Sequence, residues 1–286
     1  MRVSLGEDRH DDASRLPRHW LVHRDCDSTE WYWVQQQLSA TQRVCSYDRA
    51  GYGWSEPVTG SRDSLQLVRE LHDLLQTTKI PGPYVMVGHS LGGVTDPIYA
   101  SEYPGEVLGM VLVDSAIPLT SMDLDAYEKY KSQNESAYWL LSALVRFGVA
   151  RFIIGREVYG YGLPSNIAAE LTALKSNNQA VDTWDVEVRQ SLLKLSQQAK
   201  AAEDFGTCPL IILWAGHPEL TAPEDRVKLR TIWSQVAVHS SNSVTRVIDG
   251  ADHGSIQGKE QYAAQISAAV REVIASARTG QPLTSH

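Results

Sequence analysis

Six short apolar runs, each followed by a stretch of helical periodicity, set the narrowest limits on what this chain can fold into. The runs lie at 20–23, 44–47, 84–87, 110–113, 210–214 and 244–248, with helical patterns at 31–38, 64–77, 91–103, 223–236 and 261–277. Runs of this length suit strands buried on both faces, and their alternation with helices predicts a mainly parallel sheet flanked by helices, an α/β fold. In 64–77 the apolar residues Leu67, Val68, Leu71, Leu74 and Leu75 fall on one face at helical spacing.

The alternation breaks between 117 and 206. There the pattern is helical, clearest at 137–147, 167–174 and 186–202, with turn-like joints such as Gly160-Tyr161-Gly162-Leu163-Pro164. A helical insertion after the carboxyl end of a strand sits where open α/β sheets bind ligands, so it is expected to act as a lid. A helical decoration with no part in binding is the alternative. The expected division is a core of 19–116 and 207–278, a cap of 117–206, and ends at 1–18 and 279–286 where order is least expected.

A hydrophobic share of 43% and a charged share of 21% are those of an ordinary soluble domain. The net charge of −8 speaks against a nucleic-acid or anionic-membrane partner, which calls for clustered Lys and Arg. Cys26, Cys45 and Cys208 are too few and too scattered for a disulfide framework or a zinc cluster and are expected to be buried or half-buried thiols. Residues 1–18 are dense in Arg, Asp and His and lack the apolar core of a secretion signal, which leads to the expectation of a cytoplasmic location. No apolar stretch reaches the roughly 20 residues needed to span a bilayer.

Residues 84–93 read Tyr-Val-Met-Val-Gly-His-Ser-Leu-Gly-Gly and place Ser90 between Gly88 and Gly92. A serine forced onto a sharp strand-to-helix turn has its hydroxyl exposed beside free backbone N–H groups. Three fixed positions match by accident in roughly one chain of this length in ten, so the weight rests on the strand before Gly88 and the helix after Ser90. Glycines at 88 and 92 relieve the crowding where strand and helix pass closely around the turn.

Several landmarks in one order resemble the α/β-hydrolase superfamily, from about Trp20 to about Ala277. They are His23, Trp31-Tyr32-Trp33, Tyr47-Asp48-Arg49-Ala50-Gly51-Tyr52-Gly53-Trp54-Ser55, Gly88-His89-Ser90-Leu91-Gly92-Gly93, Tyr103-Pro104, Val111-Leu112-Val113-Asp114-Ser115 and Gly250-Ala251-Asp252-His253-Gly254. The resemblance implies covalent catalysis: Ser90 as nucleophile and His253, on the loop after the last strand, as its base. Two acids compete to orient the imidazole. Glu219, in Gly216-His217-Pro218-Glu219, has the spacing the family shows after the penultimate strand; Asp114, at the end of strand 110–113, is the other known position. Glu219 is preferred, because an Asp at 114 also occurs in relatives that do not use it. Asp252 adjoins His253 in the chain and is set aside, since neighbouring loop side chains seldom face each other.

The family's oxyanion hole implies two backbone donors, the N–H of Leu91 and, by position, that of Asp25. Arg24 stands where the family usually has glycine, and a turn needing positive φ there would be strained. The family normally has two antiparallel strands before the one ending at His23, yet only about eighteen residues precede it, so the sheet edge is expected to be shortened or replaced by loop.

The resemblance implies a serine hydrolase of carboxylic esters with no cofactor and no metal. Trp139, Phe147, Phe152, Tyr159, Tyr161 and Trp184 in the insertion favour a small-molecule substrate with an apolar acyl or alcohol group, although such residues also serve as a packing seam. Lactone, thioester, amide or C–C bond hydrolysis and perhydrolysis are alternatives on the same residues. Epoxide and haloalkane hydrolysis are disfavoured, those relatives having an aspartate in place of Ser90. A weakly catalytic ligand-binding member of the fold is the rival of a different class.

Overall fold

The computed structural model describes residues 2–5, 20–25, 27–60, 62–115, 124–200, 204–216 and 236–284. Seven strands form one sheet: β1 (Arg2–Leu5), β2 (Trp20–Asp25), β3 (Arg43–Asp48), β4 (Tyr84–His89), β5 (Val107–Val113), β6 (Leu210–Ala215) and β7 (Ser243–Ile248). Their spatial order is β1-β3-β2-β4-β5-β6-β7, parallel throughout except for β1, which runs antiparallel to β3.

All six predicted strands are present, extended by one to three residues. β1 was not foreseen. Its four residues put a strand at the sheet edge, so the expectation that the whole polar N-terminus lacks order does not hold for them.

The helices of the core are α1 (Tyr32–Ser39), α2 (Ser64–Thr77) and α3 (Leu91–Glu102). Five more follow in the insertion: α4 (Leu124–Arg146), α5 (Ala150–Tyr159), α6 (Ser165–Lys175), α7 (Asn178–Trp184) and α8 (Leu192–Lys200). After β7 come the single turn α9 (Ser255–Gly258) and the long α10 (Glu260–Thr279). The helix expected at 223–236 lies, but for its last residue, outside the described residues. Beyond α10 the chain packs back onto the sheet, with the N–H of Leu283 donating to Asn242 Oδ1 at 2.7 Å and Arg246 Nη2 to the Thr284 carbonyl at 3.0 Å. The C-terminal tail is thus held through Thr284.

Because side chains alternate along a strand, the same strands feed two cores. Val85, Val87, Val111, Val113, Ile211 and Leu213 face α1 and α10, where they meet Trp31, Leu38, Ile266 and Val270. Met86, Met110, Leu112, Leu210 and Ile212 face the other way, onto Val68, Leu71 and Leu75 of α2 and Ile98 and Tyr99 of α3. Leu67, Val68, Leu71 and Leu75 are buried, as the helical spacing required, and Leu74 packs partly buried against the same cluster.

The insertion departs from a plain α-helical pattern at Asp185–Gln190, which forms a π-helical turn before α8. Such wide turns project a side chain out of helical register. Here Glu187, fully buried, lies between two core arginines: Arg49 Nη2 donates to its Oε2 at 2.6 Å and Arg62 Nη2 to its Oε1 at 2.9 Å. Tyr52 adds a hydroxyl at 3.0 Å. Further links join core and insertion: Trp54 Nε1 to Glu170 at 2.8 Å, Gln179 Nε2 to the Ser55 carbonyl at 2.9 Å, and the Lys175–Glu30 ion pair. The Tyr47–Ser55 landmark is organised on buried Asp48, whose carboxylate accepts the N–H of Ser28 at 2.7 Å and of Trp54 at 3.0 Å.

Candidate active site

Parallel strands end at one edge of a sheet, and three of these ends converge. Ser90 follows β4, Asp114 follows β5, and His253 lies on the loop after β7. Ser90 has φ 52° and ψ −121°, a region unfavourable for any residue with a Cβ. Gly88 and Gly93 let strand and helix close around this turn. A Cβ on Gly88 would lie 2.5 Å from backbone atoms of Gly92 and Gly93, and one on Gly93 only 1.6 Å from Ser115 Oγ. The second close approach was not anticipated. Gly93→Ala is therefore expected to destabilise the fold by about 1–3 kcal/mol, and Ser115→Gly in the same chain to recover most of the loss in a thermal melt; failure of that rescue would place the strain elsewhere.

His253 Nδ1 lies 2.6 Å from Asp114 Oδ2, and His253 Nε2 lies 3.2 Å from Ser90 Oγ. Burial pushes the Asp114 carboxyl up, but the hydrogen bond and charge of His253 and the N–H of Ala215, at 3.1 Å, outweigh it and hold the group below its ordinary range. Asp114 is therefore ionised at neutral pH and only accepts hydrogen bonds. In the neutral form of His253 the proton must then sit on Nδ1, which leaves Nε2 to accept from the Ser90 hydroxyl. Asp114 itself has φ 36°, a left-handed conformation that Asp tolerates better than most residues. Glu219 lies outside the described residues.

Asp252 has a different task. Its Oδ1 accepts the N–H of Gly254 at 3.1 Å and of Ser255 at 2.8 Å, which shapes the turn carrying His253. His89, which sequence reasoning passed over, is buried under the same loop: its Nε2 donates to the His253 carbonyl at 2.9 Å, and the two rings lie 4.4 Å apart, tilted by 36°. The only signal for it in the chain was an imidazole in a variable position of the Gly-x-Ser-x-Gly pattern.

Leu91 is the first residue of α3, so its N–H has no acceptor within the helix. β2 runs through Asp25, with Arg24 paired to Tyr47 on one side and Gly88 on the other. Arg24 is extended, and the anticipated positive-φ strain does not arise there. The ladder with β4 ends at Arg24, so Asp25 is the first residue of β2 past it, at the edge where Ser90 stands.

The insertion's aromatic residues divide. Trp139, Phe147, Phe152 and Tyr159 are exposed, not packed in a seam, and Trp184 is half-buried. Tyr161 is buried against the turn after His253, close enough that a Cβ on Gly258 would lie 2.6 Å from its ring. A cavity of about 500 Å³ beside Tyr84, at the start of β4, is at the opposite edge of the sheet and takes no part in this arrangement. Burial pushes the Cys45 thiol up to about 12 and the Cys208 thiol to about 11, so neither supplies a thiolate; Cys26 lies outside the described residues. Among the described residues no group of three His, Cys, Asp or Glu side chains is arranged to hold a metal ion.

A family model described as the alpha/beta hydrolase family matches residues 17–268. Among solved structures, a thermophilic esterase from Thermogutta terrifontis superposes with a TM-score of 0.64 at 19% identity, covering 97% of this chain and 94% of that one. A putative lipase from Acinetobacter baumannii gives 0.68 at 19% identity, covering 98% and 88%. Likeness at such identity shows the fold. Lipase 3 of Moraxella sp. is 23% identical over 211 residues, 70% of this chain and 62% of that protein. The chain spans less than two thirds of the length of the curated relatives it matches first, 17% and 36% for two of them.

Proposed function

This chain belongs to the alpha/beta hydrolase family, and from that premise we propose that it is a serine hydrolase of carboxylic esters working through an acyl-enzyme on Ser90. The reading rests on the hydrogen-bonded chain Ser90–His253–Asp114 at 3.2 and 2.6 Å. As Ser90 Oγ attacks the ester carbonyl carbon, His253 Nε2 takes its proton, and the imidazolium so formed is stabilised by ionised Asp114. The same proton passes to the departing alcohol. Water then repeats the sequence on the acyl-enzyme and releases the acid. The backbone N–H groups of Leu91 and Asp25 are assigned to the oxyanion, Leu91 with the added field of a helix N-terminus.

Residues 124–200 are assigned as a cap. Tyr161 at the His253 turn and Glu187 in the arginine pair are the contacts that seat it over the edge carrying Ser90. The substrate class is a small molecule with an apolar acyl or alcohol group.

Purified protein is expected to release nitrophenol from p-nitrophenyl acetate or butyrate and to be labelled by a fluorophosphonate at Ser90; absence of both overturns the proposal. The acid is tested separately. Asp114→Asn is expected to lower kcat about 10⁴-fold, because the imidazole loses the acceptor that fixes its tautomer, while Glu219→Gln leaves turnover near that of the parent. The reverse pattern would hand the role to Glu219.

A further inference from the structure

We propose that the corner where α4 meets α5 is a docking surface for an anionic lipid bilayer, its apolar side chains entering the interface and its arginines meeting lipid phosphates. Residues on one face of α4, Trp139, Leu140 and Ala143, lead to Phe147 and Val149 in the turn and then to Phe152 and Ile153 on α5. All are exposed: Phe147 at 85%, Phe152 at 77%, Leu140 at 63%, Ile153 at 61% and Trp139 at 57%. The opposite faces of the two helices are occupied, with Val145, Ala150 and Val181 buried together against Leu141, Leu144 and Ile154. The three aromatic rings alone leave on the order of 400 Å² of apolar surface in water, as much as the largest patch on an ordinary monomer, before the aliphatic residues are added.

Charge selects the occupant. From 136 to 156 the chain has no acidic residue and three arginines, Arg146, Arg151 and Arg156, in a protein whose net charge is −8. Arg146 has a loose pairing with Asp182 at 3.7 Å, and no ion pair to Arg151 or Arg156 occurs among the described residues. Of the acids that bound this stretch, Glu157 is engaged by the Tyr161 hydroxyl, and exposed Glu135 lies one helical turn before Trp139, away from the corner carrying the arginines. The overall negative charge that argued against an anionic surface is screened within a Debye length of about 8 Å, so the sign beside the lipid is that of these arginines. A second copy of the chain on the same face would bring like charges together around the apolar patch.

The geometry is that of an element resting on a membrane. No single helix among the described residues is long and apolar enough to cross one. The segments Tyr138–Arg146 and Ala150–Tyr159 meet at 96°; each is about 15 Å long at 1.5 Å per residue, half the hydrocarbon thickness of about 30 Å. A bent apolar corner of that size suits insertion by about 5–10 Å at the headgroup boundary.

The test is cosedimentation of the full chain with phosphatidylcholine vesicles, with and without phosphatidylglycerol, in a Ser90→Ala background so that binding is read apart from any hydrolysis. Binding is expected on the mixed vesicles and to weaken with salt. Phe147→Ser with Phe152→Ser should reduce it roughly ten-fold or more, and Arg151→Gln and Arg156→Gln about five-fold each on anionic vesicles only; these exposed positions should leave the melting temperature unchanged. Two outcomes overturn the proposal: vesicle binding that is absent or indifferent to these substitutions, or a dimer in light scattering that the Phe147→Ser, Phe152→Ser variant converts to monomer. Neither outcome bears on fluorophosphonate labelling of the parent chain, so failure here and failure of the hydrolase assignment are distinguishable.

Discussion

Ser90→Gly is expected to abolish ester turnover and to make the protein more stable. Loss of the nucleophile removes the covalent route, and the fall in kcat should be on the order of 10⁶-fold, with the residual rate supplied by the oxyanion donors and binding. The gain in stability follows from the backbone. At φ 52° and ψ −121° a residue with a Cβ carries strain of about 1–3 kcal/mol, which glycine relieves at a cost of about 0.5–1 kcal/mol in unfolded-chain entropy. The net effect is about 1 kcal/mol, or roughly 2–4 °C in Tm for a chain of this size. Ser90→Ala removes the hydroxyl but keeps the Cβ, so it should lose turnover equally without the gain. Equal melting temperatures for the two variants would dispose of the strain argument, and turnover within about 100-fold of the parent in either would remove Ser90 from the role of nucleophile.

The second large effect concerns the ion group under the insertion. Glu187→Ala is expected to destabilise by about 3–5 kcal/mol, because it leaves Arg49 and Arg62 buried beside each other with their shared counter-charge gone. Arg62 keeps Glu70, at 2.8 Å, so the loss falls short of stranding both guanidinium groups. The damage should concentrate in the insertion, so limited proteolysis is expected to cut first within 124–200. A contrasting control is Lys194→Ala. Lys194 also bridges core and insertion, through Asp63, yet its side chain is 58% exposed, and a pair in water is worth no more than about 1 kcal/mol. Similar losses for the two variants would show that Glu187 does not hold the insertion electrostatically.

Most of the sheet was legible in the chain because a strand buried on both faces has little choice of composition. Runs such as Val85–Met86–Val87 and Ile211–Ile212–Leu213 serve two cores at once and therefore read as unbroken apolar segments. β1 was illegible for the opposite reason. A strand of four residues at the sheet edge draws its stability from pairing with β3, and the polar–apolar alternation of Arg2-Val3-Ser4-Leu5 is too short to stand out from the polar stretch that follows. Glu187 was equally hidden: a glutamate in a helical stretch reads as solvated until the fold brings Arg49 and Arg62, more than 120 residues earlier, onto it.

The same division runs through the candidate site. The order of local signals determined the alternating α/β architecture, the sharp turn at Ser90 and the placement of His253 on a late loop, since each depends on residues within a few positions of one another. That Asp114 faces His253 was visible only in the tertiary structure. Asp114 and Glu219 both follow strands in the sequence, and what the fold adds is the left-handed backbone at Asp114, with its carboxylate 2.6 Å from His253 Nδ1. The extended conformation of Arg24 and the seat of His89 beneath the His253 loop belong to the same class. Their positions are set by neighbours distant in the chain, and no local pattern of residues encodes a distance of that kind.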